Sequence, residues 1–218
     1  MRFGLTFALA VGLGAQAANA HPHIFIDSGV EVIFDGQGQV TALRISWAYD
    51  DFYSLLAIED RGLDPDGDGR LTSEAQASLS GFDMGWDADY DGDLHVQNQG
   101  AAVAMGRPED VTARYKDGII TSTHLRKLAT PVRPGPEGLA VQIYDPGYYT
   151  AYTIAFDAVL TNAPAGCEAK VYAPDLSEAD EKLQAVLQEY QASQSVEADF
   201  PAVGANYADE VRITCPAR

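Results

Sequence analysis

Basic residues are scarce in this 218-residue chain: 14 Lys and Arg stand against 32 Asp and Glu, and the formal net charge is −18. Binding to a nucleic-acid backbone needs clustered basic side chains, so this balance argues against nucleic acid as a partner. It also argues against an anionic membrane surface. Hydrophobic residues (46%) and charged residues (21%) occur in ordinary globular proportions. The acidity therefore belongs to a folded protein, for which cations are natural partners.

Long apolar runs are absent after residue 20, where no segment reaches the roughly 18 apolar residues of a membrane-spanning helix. The apolar stretch from Phe3 to Ala17 follows Arg2 and precedes Ala18-Asn19-Ala20, a small-x-small cleavage pattern. This arrangement predicts a secretory signal peptide over residues 1–20 and a mature chain that begins at His21. We therefore expect a periplasmic or secreted protein that does not span the membrane.

Cysteine is also rare, with only Cys167 and Cys215 present. Each stands at the end of an apolar alternation typical of strands, and exported proteins fold in an oxidising compartment. The pattern predicts a disulfide between paired strands, with two free thiols as the alternative. The chain lacks both a Gly-x-Ser-x-Gly nucleophile elbow and a spaced metalloprotease motif. We therefore expect a protein that is not an enzyme.

The hydrophobic pattern predicts an α+β fold, mainly of antiparallel β-sheet, with an inserted EF-hand-like helix–loop–helix and one amphipathic helix in the C-terminal half. Alternation predicts strands at 24–34, 43–47, 94–105, 111–128, 139–144, 149–160 and 209–215. Helices are predicted from Asp50 to near Gly62, at 73–82, and at 177–193 with Ser177 as the cap. The order fits two regions, 21–106 and 107–218, or one continuous domain over 21–218.

Acidic residues concentrate in residues 50–93, which hold thirteen Asp and Glu against two Arg. Within this segment lies the alternate-aspartate spacing of an EF-hand calcium loop. The candidate ligands at loop positions 1, 3, 5 and 7 are Asp64, Asp66, Asp68 and the backbone carbonyl of Arg70. A hard cation such as Ca²⁺ is bound by several oxygens at close range, and alternate aspartates on a tight loop converge such oxygens. The spacing therefore predicts a Ca²⁺ site.

The end of this loop departs from the EF-hand pattern. Position 12 calls for a bidentate glutamate but is Ala75, and Glu74 stands one residue early. Loss of two oxygens predicts weak binding, in the roughly 10⁻⁴–10⁻³ M range of extracellular calcium modules. Glu74 could still reach the ion after a local adjustment of the helix. The alternative is a solvated Asp-Gly turn between two helices.

A second acidic cluster has the same alternate spacing. Its candidate ligands, ranked below the first set, are Asp87, Asp89, Asp91 and Asp93. The residues that follow it have the alternation of a strand rather than the period of a helix. The cluster is therefore either an independent cation site or a set of outer carboxylates near the first loop.

The predicted mature amino terminus, His21-Pro22-His23, holds two of the four histidines. The free α-amine and the ring of His21 can chelate one ion, and His23 can add a third nitrogen. Such nitrogen ligands suit Ni²⁺, Co²⁺, Cu²⁺ or Zn²⁺. The alternative is that both histidines merely begin the first strand. Further candidate ligands are Asp27, His95 and His124.

Several of these motifs occur together in a known family. They are the signal peptide, His21-Pro22-His23-Ile24-Phe25-Ile26-Asp27, Trp47-x-Tyr49-Asp50-x-Phe52-Tyr53, the Asp-x-Asp-Gly-Asp-Gly loop, and Tyr144-Asp145-Pro146-x-Tyr148-Tyr149. Over most of the mature chain the sequence resembles the bacterial domain-of-unknown-function family one thousand and seven. The resemblance implies a periplasmic component of an ABC-type transport system, often encoded beside nickel/cobalt-type membrane transporters. It implies no catalytic residue.

The leading hypothesis is a periplasmic accessory protein of a metal transport system that binds divalent metal ions. It would hold Ca²⁺ in the first aspartate loop and a transition metal at the histidine end, and its partner would be an inner-membrane metal transporter. The second hypothesis is a structural or interaction protein that the calcium loop only rigidifies. A copper-dependent oxidase is the least favoured alternative.

Overall fold

A computed structural model of the chain describes residues 22–188 and 201–216. Strands dominate this part of the chain and form two sheets. The strands are β1 (Ile24–Phe34), β2 (Val40–Tyr49), β3 (Leu94–Asn98), β4 (Ala101–Ala102), β5 (Met105–Lys116), β6 (Ile119–Val132), β7 (Leu139–Ile143), β8 (Thr150–Ile154), β9 (Val159–Thr161), β10 (Glu168–Tyr172) and β11 (Glu210–Thr214). The helices are α1 (Asp51–Asp60), α2 (Ser73–Ser78), α3 (Leu176–Leu187) and a 3₁₀ turn at Gly204–Tyr207. The α+β class is confirmed.

The first sheet has six strands in the order β5-β6-β2-β1-β8, with β9 also paired to β1. The antiparallel pair β1 and β2 forms its centre, and the Asp35 carboxylate accepts hydrogen bonds from the backbone N–H groups of Gln37 and Gln39 to close the turn. Both β8 and β9 run parallel to β1, so this sheet is mixed rather than wholly antiparallel. The strand predicted at 149–160 is therefore two short strands that follow β1 in succession.

The second sheet has five antiparallel strands in the order β10-β11-β7-β3-β4. Its edge pair is closed by the disulfide between Cys167 and Cys215, which confirms the pairing predicted from the sequence. Cys167 lies immediately before β10 and Cys215 immediately after β11, opposite each other in the antiparallel register. The bridge therefore joins two neighbouring strands at the edge of the sheet.

The Asp145-Pro146-Gly147 turn carries the chain from one sheet to the other, because β7 and β8 belong to different sheets. The Asp145 carboxylate fixes the turn by accepting backbone hydrogen bonds from Gly147, Tyr149 and Thr150 at 2.8 to 3.1 Å. Gly204 approaches this turn so closely that a Cβ there would lie 1.8 Å from the Asp145 carbonyl oxygen. The turn is thus packed directly against the backbone of the C-terminal segment.

One hydrophobic core lies between the sheets. Its fully buried side chains include Val32, Leu43, Ile45 and Ile120 of the first sheet and Leu139, Val141, Val211 and Ile213 of the second. Each sheet combines strands from the two regions predicted at 21–106 and 107–218. No helix in the described ranges is long and apolar enough to cross a membrane.

Several predicted elements differ in their bounds. The helix predicted at 73–82 ends at Ser78, and the strand predicted at 111–128 is divided between β5 and β6. The strand predicted at 94–105 is divided into β3, β4 and the start of β5, because Gln99 and Gly100 turn the chain with positive φ. Helix α3 is capped by Asp175 rather than Ser177, since the Asp175 carboxylate accepts the backbone N–H groups of Ser177 and Glu178. Residues 189–193 of that predicted helix lie outside the described residues.

Candidate functional site

Helix α1 leads into the aspartate loop from a firmly fixed start. Asp50 caps the helix, because its Oδ1 accepts the Tyr53 N–H at 2.7 Å, while its Oδ2 accepts the Phe25 N–H of β1 at 2.9 Å. At the other end, Gly62 has φ +61° and its N–H donates to the Glu59 carbonyl. This left-handed residue ends the helix and starts the loop two residues before Asp64.

The loop brings three carboxylates together. One oxygen each from Asp64, Asp66 and Asp68 lies within 4.8 Å of the others, and in the described part of the chain this is the only group of three or more His, Cys, Asp or Glu residues that converge in this way. Gly67 and Gly69 have φ of +67° and +75°. These left-handed glycines allow the tight winding that puts alternate aspartates on one side.

Hydrogen bonds to the backbone hold the loop in shape, but one solvent-shielded carboxylate oxygen has no hydrogen-bond partner. Asp64 Oδ2 accepts the Gly69 N–H at 2.9 Å, and Asp68 Oδ1 accepts the Arg70 N–H at 2.8 Å. Asp64 Oδ1 is shielded from solvent and has no hydrogen-bond partner. A buried carboxylate oxygen without a donor is unfavourable, and it belongs to one of the three carboxylates that converge in this loop.

Glu74, the remaining predicted side-chain ligand of this loop, lies at its exit. Thr72 caps α2 by accepting the Ala75 N–H at 3.1 Å, so Ala75 stands in the first turn of the helix. Glu74 is exposed on the same turn and is not one of the three converging carboxylates. The structure thus brings together Asp64, Asp66 and Asp68 and does not add Glu74 to them.

The second acidic cluster has a different arrangement. Its members Asp87, Asp89, Asp91 and Asp93 do not form a converging group of ligand atoms. Asp93 is buried with φ +54°, and its Oδ2 accepts the hydroxyls of Tyr90 and Tyr152, each at 2.8 Å. One carboxylate of the cluster is therefore bound to tyrosines inside the protein.

Two arginines fasten this second loop by its backbone. Arg126 donates to the carbonyls of Asp91 at 2.5 Å and Gly106 at 2.7 Å, and Arg107 donates to the carbonyl of Trp86 at 2.8 Å. Both guanidinium groups also lie over the Trp86 ring, at 5.1 and 5.6 Å from its centroid. Burial lowers the pKa of Arg126. These contacts hold the loop against β5 and β6.

A buried polar cluster continues from this loop into the first sheet. Asp83 Oδ2 accepts the hydroxyls of Ser122 at 2.5 Å and Tyr49 at 2.7 Å. His124, two residues along the same strand, is fully buried, and neither of its ring nitrogens has a hydrogen-bond partner. The Ser122 hydroxyl donates to Asp83 and not to His124, so these residues do not form the hydrogen-bonded series of a Ser-His-Asp triad.

Burial controls the protonation of this cluster. It lowers the pKa of His124 from its ordinary value of 6.5 to about 3, with a smaller contribution from the positive charge of Arg126. It raises the pKa of Asp93 from 3.8 to about 6, against the opposing effect of the two tyrosine hydroxyls. The His124 ring lies edge-on to the rings of Trp47 and Trp86, at 4.7 and 5.5 Å between centroids. His124 is therefore a neutral core residue.

The histidines at the predicted mature amino terminus are described only in part. His21 lies outside the described residues. The His23 N–H donates to the Tyr149 carbonyl at 2.8 Å, and its ring packs 4.7 Å from the Tyr149 ring. His95 stacks on Tyr144 at 3.7 Å between ring centroids. The transition-metal site at this end stays a prediction, and in the described residues His23, Asp27, His95 and His124 do not form a converging group with one another.

Sequence reasoning missed the buried polar cluster around Asp83 and Asp93. A signal for it was present in the strand predicted at 111–128, where Ser122, His124 and Arg126 share the parity of the buried Ile120. Polar residues at core-facing positions of a strand need partners inside the protein. The partners come from the loop that follows α2, and no local pattern assigns them.

The fold and the site together define a two-sheet α+β protein with an aspartate loop between two helices. A family model described as "Protein of unknown function (DUF1007)" matches residues 6–215, and the chain belongs to this family. The chain is also 27% identical over 219 residues to an "Uncharacterized protein" of Haemophilus influenzae, in a match that covers 96% of this chain and 98% of the relative.

Proposed function

We propose that the protein binds a divalent cation, Ca²⁺, in the loop of Asp64, Asp66 and Asp68. The proposal is carried by the Asp64 carboxylate, which converges with those of Asp66 and Asp68 and whose Oδ1 is shielded from solvent and has no hydrogen-bond donor. A hard cation at that point would supply the missing electrostatic partner and offset the repulsion between three like charges.

The spacing and surroundings of the loop also support Ca²⁺. Alternate aspartates followed by a left-handed glycine, Gly69, are the start of an EF-hand loop, and helices α1 and α2 flank it. Because Ala75 replaces the bidentate glutamate, the dissociation constant should lie near 10⁻⁴–10⁻³ M. Such an affinity suits a compartment outside the cytoplasm, which the predicted signal peptide and the disulfide also favour.

In this proposal the protein is an exported metal-binding accessory of a transport system. The transport role rests on the family resemblance and on the candidate transition-metal ligands His21 and His23. The competing proposal is that the cation only fastens α1 to α2. In that case Ca²⁺ would raise the midpoint of thermal unfolding. Substitution of His21 and His23 would then leave the binding of Ni²⁺, Co²⁺, Cu²⁺ and Zn²⁺ unchanged.

Calorimetric titration of chelator-treated protein with CaCl₂ tests the site. The native protein should give a dissociation constant near the range above, and Asp66→Asn should weaken it at least about tenfold because a charged ligand is removed. Asp89→Asn in the second cluster is the matched control and should leave the affinity unchanged. Absence of heat in the native protein, or an equal loss in the control, would overturn the proposal.

A gain of affinity provides an independent test. Ala75→Glu places a carboxylate at loop position 12, on the first turn of α2. The added ligand should tighten Ca²⁺ binding at least about tenfold, since a glutamate there supplies two oxygens. If the affinity of Ala75→Glu equals that of the native protein, the loop does not bind the cation with EF-hand geometry.

A further inference from the structure

Helix α1 exposes three of its large apolar side chains, although Ile58 of the same helix is buried in the core. Its buried residues are Ser54, Ala57 and Ile58. On the other side of the helix, Phe52, Leu55 and Leu56 are 65%, 48% and 39% exposed. Residues three and four apart share a helix face, so these three side chains form one stripe, the α1 stripe. Contiguous exposed apolar groups of this kind mark interaction surfaces.

The orientation of the helix is fixed by its small inward face. Ser54 is buried, and its Oγ accepts the Ile120 N–H of β6 at 2.9 Å and donates to the Tyr49 carbonyl at 3.4 Å. The Asp50 cap ties the same helix to β1. A rotation that buried the α1 stripe would break the Ser54 bonds and leave the Ile120 N–H without its partner. The stripe is therefore presented to solvent by the fold itself.

Carboxylates stand at both ends of the α1 stripe. Spacings of four residues align Asp51, Leu55 and Glu59 in one row and Phe52, Leu56 and Asp60 in the next. Asp51 and Glu59 are eight residues apart, or about 12 Å along the helix axis. The helix itself contains no Lys or Arg. The surface is thus an apolar centre about one turn long, with negative charge at each end and about two turns between the terminal carboxylates.

We propose that the α1 stripe docks a cationic amphipathic segment of a partner protein. Such a segment presents apolar side chains to Phe52, Leu55 and Leu56 and Lys or Arg to the carboxylates at either end, which gives both contact area and charge complementarity. A second copy of this chain is a poor occupant, because any end-to-end alignment of two stripes sets carboxylates against carboxylates. The surface does not use the aspartate loop, so it goes beyond the proposed cation binding.

Fluorescence anisotropy with a labelled synthetic helix tests the surface. The probe is a Leu/Lys peptide with leucines on one face and lysines beside them, and the control peptide has the same composition in an order without an apolar face. Phe52→Ser with Leu56→Ser, and separately Asp51→Asn with Glu59→Gln, should each weaken probe binding at least about tenfold. All four side chains are exposed, and circular dichroism should show unchanged folding.

A matched control pair is available on the second sheet and at the start of α3. Val171→Ser with Leu176→Ser removes side chains that are 40% and 58% exposed, and it should change probe affinity less than about twofold. The same affinity is expected with Ca²⁺ and with chelator, because the cation is not part of this surface. This result stands whether or not the aspartate loop binds Ca²⁺.

Four results would overturn the proposal. The first is equal binding of the two peptides, and the second is an equal loss of probe affinity in the control pair Val171→Ser with Leu176→Ser. The third is binding to phosphatidylglycerol vesicles that depends on Phe52 and Leu56, while the peptide does not bind. The fourth is a dimer, detected by light scattering, that Phe52→Ser dissociates. Vesicle binding would assign the α1 stripe to a membrane, and the dimer would assign it to a second copy of the chain.

Discussion

Two buried groups act in opposite directions on the acid stability of this protein. His124 has its pKa lowered from 6.5 to about 3, chiefly by burial, and Asp93 has its pKa raised from 3.8 to about 6, also chiefly by burial. On acidification the unfolded chain protonates His124 below 6.5 while the folded protein does not, which destabilises the fold. The folded protein protonates Asp93 below 6 before the unfolded chain does, which stabilises the fold.

The sizes of the two contributions follow from these pKa values. Between pH 7 and pH 4, the His124 contribution lowers the free energy of unfolding by about 3 kcal/mol. Over the same interval the Asp93 contribution raises it by about 2 kcal/mol. The pair together therefore changes stability by only about 1 kcal/mol in the native protein.

A variant that lacks one of these two groups should show the pH dependence of the other. Asp93→Asn keeps an oxygen for the hydroxyls of Tyr90 and Tyr152 but cannot ionise, so its free energy of unfolding should fall by about 2 kcal/mol more than that of the native protein from pH 7 to pH 4. His124→Phe keeps an aromatic ring between Trp47 and Trp86, and its change should be more favourable than the native one by about 3 kcal/mol.

Urea unfolding followed by tryptophan fluorescence at the two pH values provides the measurement. Each variant is compared with itself at pH 7, so the direct effect of the substitution on packing cancels. Subtracting the change of the native protein then removes the contributions of the other carboxylates. The double variant should match the native pH dependence within about 1 kcal/mol. If His124→Phe keeps the native pH dependence, His124 takes up a proton in the folded state, and its assignment as a neutral core residue is wrong.

Two further predictions concern stability alone. Replacement of Cys167 and Cys215 by serine removes a bridge between residues 48 apart in sequence. The free energy of unfolding in urea should then fall by about 4 kcal/mol in the chain-entropy model. A loss smaller than about 1 kcal/mol would contradict the stabilising role of the bridge. Asp50→Ala removes the acceptor of both the Tyr53 and the Phe25 N–H and should cost about 1–2 kcal/mol, whereas Asp51→Ala, at the exposed neighbouring position, should stay within about 0.5 kcal/mol of the native protein.

Local patterns predicted most elements of the fold, but they did not assign strands to sheets. The Asp145-Pro146-Gly147 sequence marks a turn, and the structure has one there. Turn chemistry fixes the local path of the backbone, and it does not decide whether the next strand pairs with the previous one. Here β8 leaves its neighbour and joins β1 in parallel, a pairing more than a hundred residues distant in sequence. Such choices depend on the whole core.

Helix α1 shows a second limit of sequence patterns. The period of Phe52, Leu55 and Leu56 predicted the helix, and an apolar stripe ordinarily faces the core. The structure instead buries Ser54, Ala57 and Ile58, because Ala57 and Ile58 pack in the core and the Ser54 hydroxyl satisfies the Ile120 N–H at the start of β6. The periodicity indicates that one face of the helix is apolar. Which of the two faces is buried depends on the contacts that the opposite face can make.

The acidity of residues 50–93 divides into three physical situations. Asp83 and Asp93 each accept tyrosine hydroxyls through Oδ2 inside the protein. Asp51 and its neighbours on α1 are exposed and fully solvated, and they gain a partner only where another molecule brings basic groups. Asp64 is the intermediate case, because one of its oxygens is shielded from water and has no hydrogen-bond donor. The charge of the segment alone does not distinguish these residues. Asp83 Oδ1 is also shielded and without a donor, but of the two carboxylates only that of Asp64 has two further carboxylates converging on it, which places the strongest demand for a cation at Asp64.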